Sequence, residues 1–265
     1  MTRARLLRQE SVLAALGGVL LLLLVAPVLF LFTATTPAEF AQGLAHPLVL
    51  PALKLSLVTS VTTLAVAVIL GTPLAWLLAR ARGRLARAVE TASQLPIVLP
   101  PAVAGVALLL TFGSQSPLAG LLYPEGTSLA PSLAAVVLSQ LFVSAPLYLR
   151  SATTAFRTLD PRMELVARTF GASPWRVFLR VSIPLAASGM TTGAALCWAR
   201  ALGEFGATLM FAGNLPGVTQ TLPLAIYTAL AADLRAAQAL SVLLVLVAFG
   251  LLVAVRVSSR IRDAG

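Results

Sequence analysis

Charge is what this 265-residue chain has least of: only 11% of its residues are Asp, Glu, Lys or Arg, against about 25% in an ordinary soluble domain. A water-covered surface cannot be built from so few, which excludes a typical soluble enzyme. One cysteine, Cys197, excludes an intramolecular disulfide and any paired-cysteine zinc or redox motif. One histidine, His46, excludes the two-histidine metalloprotease motif and leaves no second His for a relay. The single lysine, Lys54, follows Pro51-Ala52-Leu53, so the phosphate-binding loop GxxxxGK[ST] is absent. No catalytic residue, metal ligand or resident cofactor is therefore expected in this chain.

What remains is apolar: 58% of the residues are hydrophobic and the mean hydropathy is +0.94. They gather in six stretches, approximately 12–32, 53–78, 95–112, 133–149, 183–211 and 240–255, suited to crossing a hydrocarbon core of ~30 Å as helices. The first is longer than a signal-peptide h-region of ~7–15 residues and ends in Thr33-Ala34-Thr35, a poor cleavage site, so it reads as an uncleaved helix. The expectation is an all-α membrane protein of six transmembrane helices, forming one transmembrane domain over 1–265.

Orientation comes from the basic residues. The N-terminus holds Arg3, Arg5 and Arg8, and the second connection Arg80, Arg82, Arg84 and Arg87. The fourth holds Arg150, Arg157, Arg162, Arg168, Arg176 and Arg180, and the C-terminus Arg256, Arg260 and Arg262. Sixteen of the 19 basic residues thus lie on one face, which the positive-inside rule makes the cytoplasm. The same rule accounts for a net charge of +10 without nucleic acid as a partner. Both termini are then inside, the location is the cytoplasmic (inner) membrane, and the segments around Glu39 and His46, Glu125, and Gly213 to Arg235 face outward. Gly71-Thr72-Pro73 interrupts the second stretch, and Pro96, Pro100 and Pro101 crowd the third. Such residues mark either a packing kink or the wall of a pathway, where freed carbonyls meet protein or water.

The fourth connection, 159–184, carries its own pattern. Asp160 can cap a helix with Pro161 in its first turn; Leu165, Val166, Thr169 and Phe170 make an apolar stripe at helical spacing; Gly171 stops it. Ser173-Pro174 restarts the chain, and Trp175, Phe178 and Leu179 form a second stripe. The pattern predicts helix, glycine turn, helix, held against the cytoplasmic face. Physics alone allows an amphipathic surface helix here. The passage also resembles the signature of permease subunits of type I ATP-binding-cassette importers, of the form EAA, three residues, G, nine residues, I-x-L-P. Gly171, Val181, Ile183 and Pro184 fall at that spacing, with Val181 for the usual Ile. Leu165-Val166-Ala167 stands where EAA is expected, with Glu164 one place early.

That resemblance implies a type I importer permease fold with its core at about 52–256. The loop, with Glu164, Ala167, Gly171, Ala172 and Pro184, would couple to a separate pair of cytoplasmic ABC ATPase subunits, which bind ATP-Mg. A second permease copy and an extracytoplasmic binding protein complete the implied assembly. Leu95 to Gly105, Ala199 to Gly217 and Thr219 to Tyr227 are similar to the molybdate permease branch, so the implied cargo is molybdate, with tungstate as a near-identical ion. Sulfate and thiosulfate permeases share a related Gly-Glu-aromatic-Gly stretch and are the alternative. From other classes, a secondary transporter would show inverted repeats and more intramembrane acids. A membrane-embedded enzyme would need clustered acids, a Ser-His pair or a metal set; neither pattern is present in the sequence.

Arg200 and Glu204 lie four apart in the fifth stretch, where ionisable groups normally face a bundle interior or water. They read either as a self-neutralising pair or, with Pro100 and Pro101, as parts of the ion path. In the second reading Arg200 attracts the dianion and Glu204 prevents tight capture. Gly203, Gly206, Ala207 and Ala201 supply a small-residue face for close helix contact.

Overall fold

A computed structural model describes residues 3–123 and 128–263. They form α1 (Arg3–Thr33), α2 (Pro37–Leu44), α3 (Val49–Arg80), α4 (Arg84–Val98), α5 (Pro101–Phe112), α6 (Ala119–Leu122) and α7 (Leu133–Arg157). After these come α8 (Pro161–Thr169), α9 (Pro174–Val177), a π turn (Phe178–Ser182), α10 (Ile183–Leu202), α11 (Gly206–Phe211), α12 (Leu222–Ala232) and α13 (Leu234–Asp263). Among the described residues, Leu13–Thr33, Val49–Arg80, Leu133–Arg157 and Pro174–Leu202 are long and apolar enough to cross a membrane. The bent pair α4 and α5 makes five. The stretch expected as a sixth crossing, 240–255, lies within α13, whose described apolar part is Leu234–Gly250. Glu125 lies outside the described residues.

Helices α3, α7 and α10 form the centre, around Ala67, Ala75, Tyr148, Ala152, Phe156, Phe178 and Cys197. Their approach depends on small residues: a Cβ on Gly193 would lie 2.6 Å from Ser151 Cβ, and one on Gly189 would lie 2.6 Å from Ala155 Cβ. A second cluster joins the start of α3 to α12 and α13 through Val49, Ala52, Leu222, Ala225 and Leu240. Helix α1 buries none of its apolar span. Outside the spans, a capping box closes the start of α2: Thr36 donates its backbone N–H and hydroxyl to the Glu39 carboxylate at 3.0 and 2.8 Å. Those bonds to the charged form hold Glu39 below the usual carboxylate range.

The buried side of α3 is the polar one. Ser56, Thr59, Ser60 and Thr63 are fully buried, whereas Val58, Val61, Ile69, Leu70 and Leu77 are exposed. In lipid there is no hydrophobic gain from burying a leucine, and hydrogen bonds and close packing decide which face turns inward. Gln140 of α7 is the centre of that seam: its amide donates to Thr59 Oγ1 at 3.1 Å and its carbonyl accepts from Thr63 Oγ1 at 3.0 Å. Trp198 Nε1 donates to Ser60 Oγ at 3.0 Å. Ser56 Oγ accepts the Leu222 N–H at 2.7 Å and so satisfies a donor at the start of α12.

Three expectations about the spans need correction. The stretch 95–112 is not one helix; the chain turns by 116° between α4 and α5. Leu99 and Pro100 are extended (ψ 133° and 136°), as residues before proline favour, and Pro101 opens α5 at its first position. The stretch 183–211 is likewise broken, at Gly203-Glu204-Phe205 between α10 and α11. Conversely, Pro73 does not interrupt α3, which continues to Arg80. Beside it the Thr72 hydroxyl bonds Val68 O at 2.6 Å and meets Tyr148 Oη at 2.5 Å.

Candidate functional site

The fourth connection folds as helix, glycine turn, helix. Asp160 caps α8 by accepting the Arg162 N–H at 2.9 Å, and Ser173 caps α9 by accepting that of Arg176 at 3.3 Å. At the other end of α8 the Gly171 N–H bonds Arg168 O at 2.9 Å and the Ala172 N–H bonds Ala167 O at 3.1 Å, the two bonds of a Schellman stop. Gly171 has φ +78°, and a Cβ there would meet nothing within 4 Å, so what selects glycine is the backbone angle and not space. Gly171→Val is expected to destabilise the turn by about 1–2 kcal/mol, and Gly171→Asn, which tolerates that angle, by less. Thermal unfolding and uptake should rank the variants in that order; equal behaviour of Val and Asn would remove backbone angle as the cause.

The apolar stripe of α8 does not hold the loop down, contrary to expectation. Met163, Leu165, Val166 and Phe170 are exposed, Phe170 by 86%, because the face turned toward the bundle is the one carrying Glu164 and Ala167. Glu164, 15% exposed, pairs with Arg80 at the end of α3. Its Oε2 accepts from Arg80 Nε at 3.3 Å, and Ser182 Oγ in the π turn donates at 2.7 Å to Oε1, the oxygen that also meets Arg80 Nη2. Arg80 also stacks over Trp76, 4.1 Å from the ring centroid, and donates to Trp76 O at 3.0 Å. Trp76 Nε1 donates to Ser182 Oγ at 3.3 Å. In the second stripe only Phe178 is buried, edge-on to Trp76 at 5.2 Å; Trp175 and Leu179 are exposed.

The π turn has a local cause. Pro184 lacks an N–H, and its ring crowds the carbonyl four residues back. Widening the preceding turn, so that Ile183 N–H bonds Phe178 O, lets the chain continue into α10. Pro184 itself is exposed. A rigid path therefore runs from α8 through Glu164 to Ser182 and α10, and through Arg80 to α3. Sequence reasoning missed Arg80, Trp76 and Ser182; only the isolated Glu164 hinted that a cation elsewhere must answer it.

The second constellation lies at the breaks. Pro101 and Gly206 are in close approach: a Cβ on Gly206 would sit 2.8 Å from Pro101 Cβ, and one on Gly105 2.8 Å from Ala207 O. The small-residue face thus seats α11 on α5. Glu204, 1% exposed, accepts the Ala207 N–H at 2.8 Å through Oε1 and pairs through Oε2 with Arg200 Nη1 at 2.5 Å, an ion pair without hydrogen-bond alignment. Arg200 is 32% exposed, and Pro100 and Pro101 are exposed. The four residues are thus grouped around two adjoining helix breaks, with Glu204 fixed as a cap and Arg200 reaching outward. Among the described residues no group of His, Cys, Asp and Glu could hold a metal.

Known proteins resemble this chain in sequence and in fold. The chain is 50% identical over 197 residues to the "Molybdenum transport system permease protein ModB" of Mycobacterium tuberculosis, covering 74% of this chain and 75% of that one. It is 36% identical over 245 residues to the "Molybdate/tungstate transport system permease protein WtpB" of Thermococcus kodakarensis, covering 92% and 93%. Its fold is that of a chain in the crystal structure of a bacterial ABC transporter importing the acidic polysaccharide alginate, with a TM-score of 0.74 at 16% identity over 97% of each chain. Residues 71–263 match the family described as "Binding-protein-dependent transport system inner membrane component". With the loop geometry, the breaks and these likenesses together, the chain belongs to that family of ABC importer permeases.

Proposed function

We propose that this chain is the membrane-spanning permease of an importer that carries molybdate, or the closely similar tungstate, into the cytoplasm. The observation that carries the reading is the exposed α8 stripe mounted on a rigid, ion-paired base, joined to 50% identity with a relative named for molybdenum transport. In this reading the chain crosses the membrane six times with both termini inside, and two copies enclose the path. A separate ABC ATPase pair binds ATP-Mg and docks on Leu165, Val166 and Phe170, and an extracytoplasmic binding protein delivers the ion. Glu164, Ala167, Gly171, Ala172 and Pro184 form the coupling loop. Arg200, Glu204, Pro100 and Pro101 border the path, where a dianion needs a cation that does not hold it too tightly.

Restoring molybdate uptake to a strain lacking its own permease, with the cognate ATPase and binding protein supplied, tests the assignment. Restored sulfate uptake in its place would overturn the choice of cargo. Topology is tested separately. Reporter fusions after Arg87, Arg180 and Arg262 are expected to report cytoplasm, and fusions near Glu39, Glu125 and Gly217 the outside. An external Arg150 to Arg180 segment would defeat the importer reading, because no cytoplasmic ATPase could reach α8.

A further inference from the structure

Behind α8, where α3 and α7 end, lies a cavity of about 390 Å³ whose polar walls are Arg80, Arg82, Arg157, Arg168, Asp160 and Glu164. Two of its four guanidinium groups are already neutralised. Arg80 pairs with Glu164, and Arg157 makes a two-pronged bond to Glu90 at 2.7 and 2.8 Å. Asp160 spends one oxygen on the Arg162 N–H. Among the described residues Arg82 and Arg168 have no carboxylate within 4.0 Å. The cavity therefore holds two unanswered guanidinium groups against one carboxylate, a surplus matched to a monoanion.

We propose that this cavity is a binding site for a phosphate ester or phosphate anion, held between Arg82 and Arg168. Planar guanidinium groups recognise such oxygens in pairs. Leu77 and Leu74, about one and two turns before Arg80 on α3, are exposed just outside the cavity and offer an apolar track that an acyl chain can follow. That track favours the head group of an anionic phospholipid over free phosphate, as in basic pockets between helices at a membrane surface. Bound there, the anion ties α8 to the ends of α3 and α7 beside the Glu164–Arg80 pair. Placing this end in the cytoplasm rests on the orientation proposed above; the anion chemistry does not.

The test uses the full chain in neutral detergent, titrated with short-chain phosphatidylglycerol, short-chain phosphatidylcholine or inorganic phosphate and read by native mass spectrometry. Phosphatidylglycerol is expected to bind best. Arg82→Gln with Arg168→Gln should weaken it about twenty-fivefold, since each arginine near an anionic head group contributes about fivefold. Arg84→Gln with Arg87→Gln removes the same charge outside the cavity and should leave binding unchanged. Arg82→Lys with Arg168→Lys restores the charge without the planar fork and should recover part of the affinity, which separates lost charge from misfolding. Inorganic phosphate that competes equally supports the site and identifies free anion as its source. Phosphatidylglycerol and phosphate binding that the Gln pair does not alter overturns the proposal. So does loss of ATPase association in the Gln pair with lipid binding intact, because the cavity is then a protein contact.

Discussion

Glu164→Ala is expected to lower uptake by about tenfold or more while the protein still inserts in the membrane. The carboxylate is 15% exposed and its partner Arg80 31%, so the pair lies between an exposed bridge, worth about 0–1 kcal/mol, and a buried one whose rupture costs about 3–5 kcal/mol. A destabilisation of roughly 1–3 kcal/mol at the base of α8 follows. In the proposed assembly it falls where closure of the ATPase pair would be passed to α3 and α10, so coupling is expected to suffer more than folding. Arg80 retains its stacking on Trp76 and its bond to Trp76 O, which limits the loss of α3 itself. Uptake and ATP hydrolysis measured together in proteoliposomes check this. The expected signature is hydrolysis that no longer responds to loaded binding protein. Normal uptake by Glu164→Ala at normal expression would reduce Glu164 to a surface ornament, and Glu164→Gln with Arg80→Gln should be milder than Glu164→Ala if the stranded charge matters.

The fourth connection was legible because its information is local. Asp160-Pro161, Gly171 and Ser173-Pro174 each act within one or two turns of themselves, and their caps and Schellman stop stand where the residues place them. The wrong inference there came from treating apolarity as burial. In a membrane protein an apolar stripe can wait for a partner protein or lipid as readily as for its own core, so Leu165, Val166 and Phe170 gave no warning that they point away from the bundle. Glu164 was visible as a departure from the family pattern, but its partner is 84 residues away in sequence, and periodicity carries no information about such a pairing.

The spans show the same division. Long apolar runs located α1, α3 and α7, but hydropathy averages across a break when both sides are apolar. The turn at Leu99-Pro100 and the interruption at Gly203–Phe205 therefore vanished into single stretches. Pro100-Pro101 was a sufficient signal for the first, since it disfavours helix before it and permits one after it. Pro73 shows why proline alone is not a rule: α3 runs through it, with its neighbour Thr72 bonded within the helix and to Tyr148. The inward face of α3 was written in Ser56, Thr59, Ser60 and Thr63 at helical spacing; in lipid, small polar residues rather than leucines mark the packed side.

At the second break, Arg200→Gln is expected to damage the protein more than Glu204→Gln, though both remove one unit of charge from the same pair. The asymmetry follows from burial. Glu204 is 1% exposed and cannot reach water, while Arg200 is 32% exposed and its long side chain can turn toward it. Arg200→Gln therefore strands a buried carboxylate, a loss of about 3–5 kcal/mol where a buried pair is broken. Glu204→Gln keeps an oxygen for the Ala207 N–H, so the cap of α11 survives and Arg200 is merely released. Uptake should separate from stability here. If Arg200 attracts the oxyanion, Glu204→Gln leaves it free to hold the ion, and transport falls through slow release while the protein accumulates normally. Joint replacement by Gln should recover most of the stability lost in Arg200→Gln, and its uptake decides the role of the pair. Full uptake would make Arg200 and Glu204 a packing device that fixes α11 against α5, and would move ion selection to the binding protein. Stable but inactive protein would place the arginine in contact with the ion.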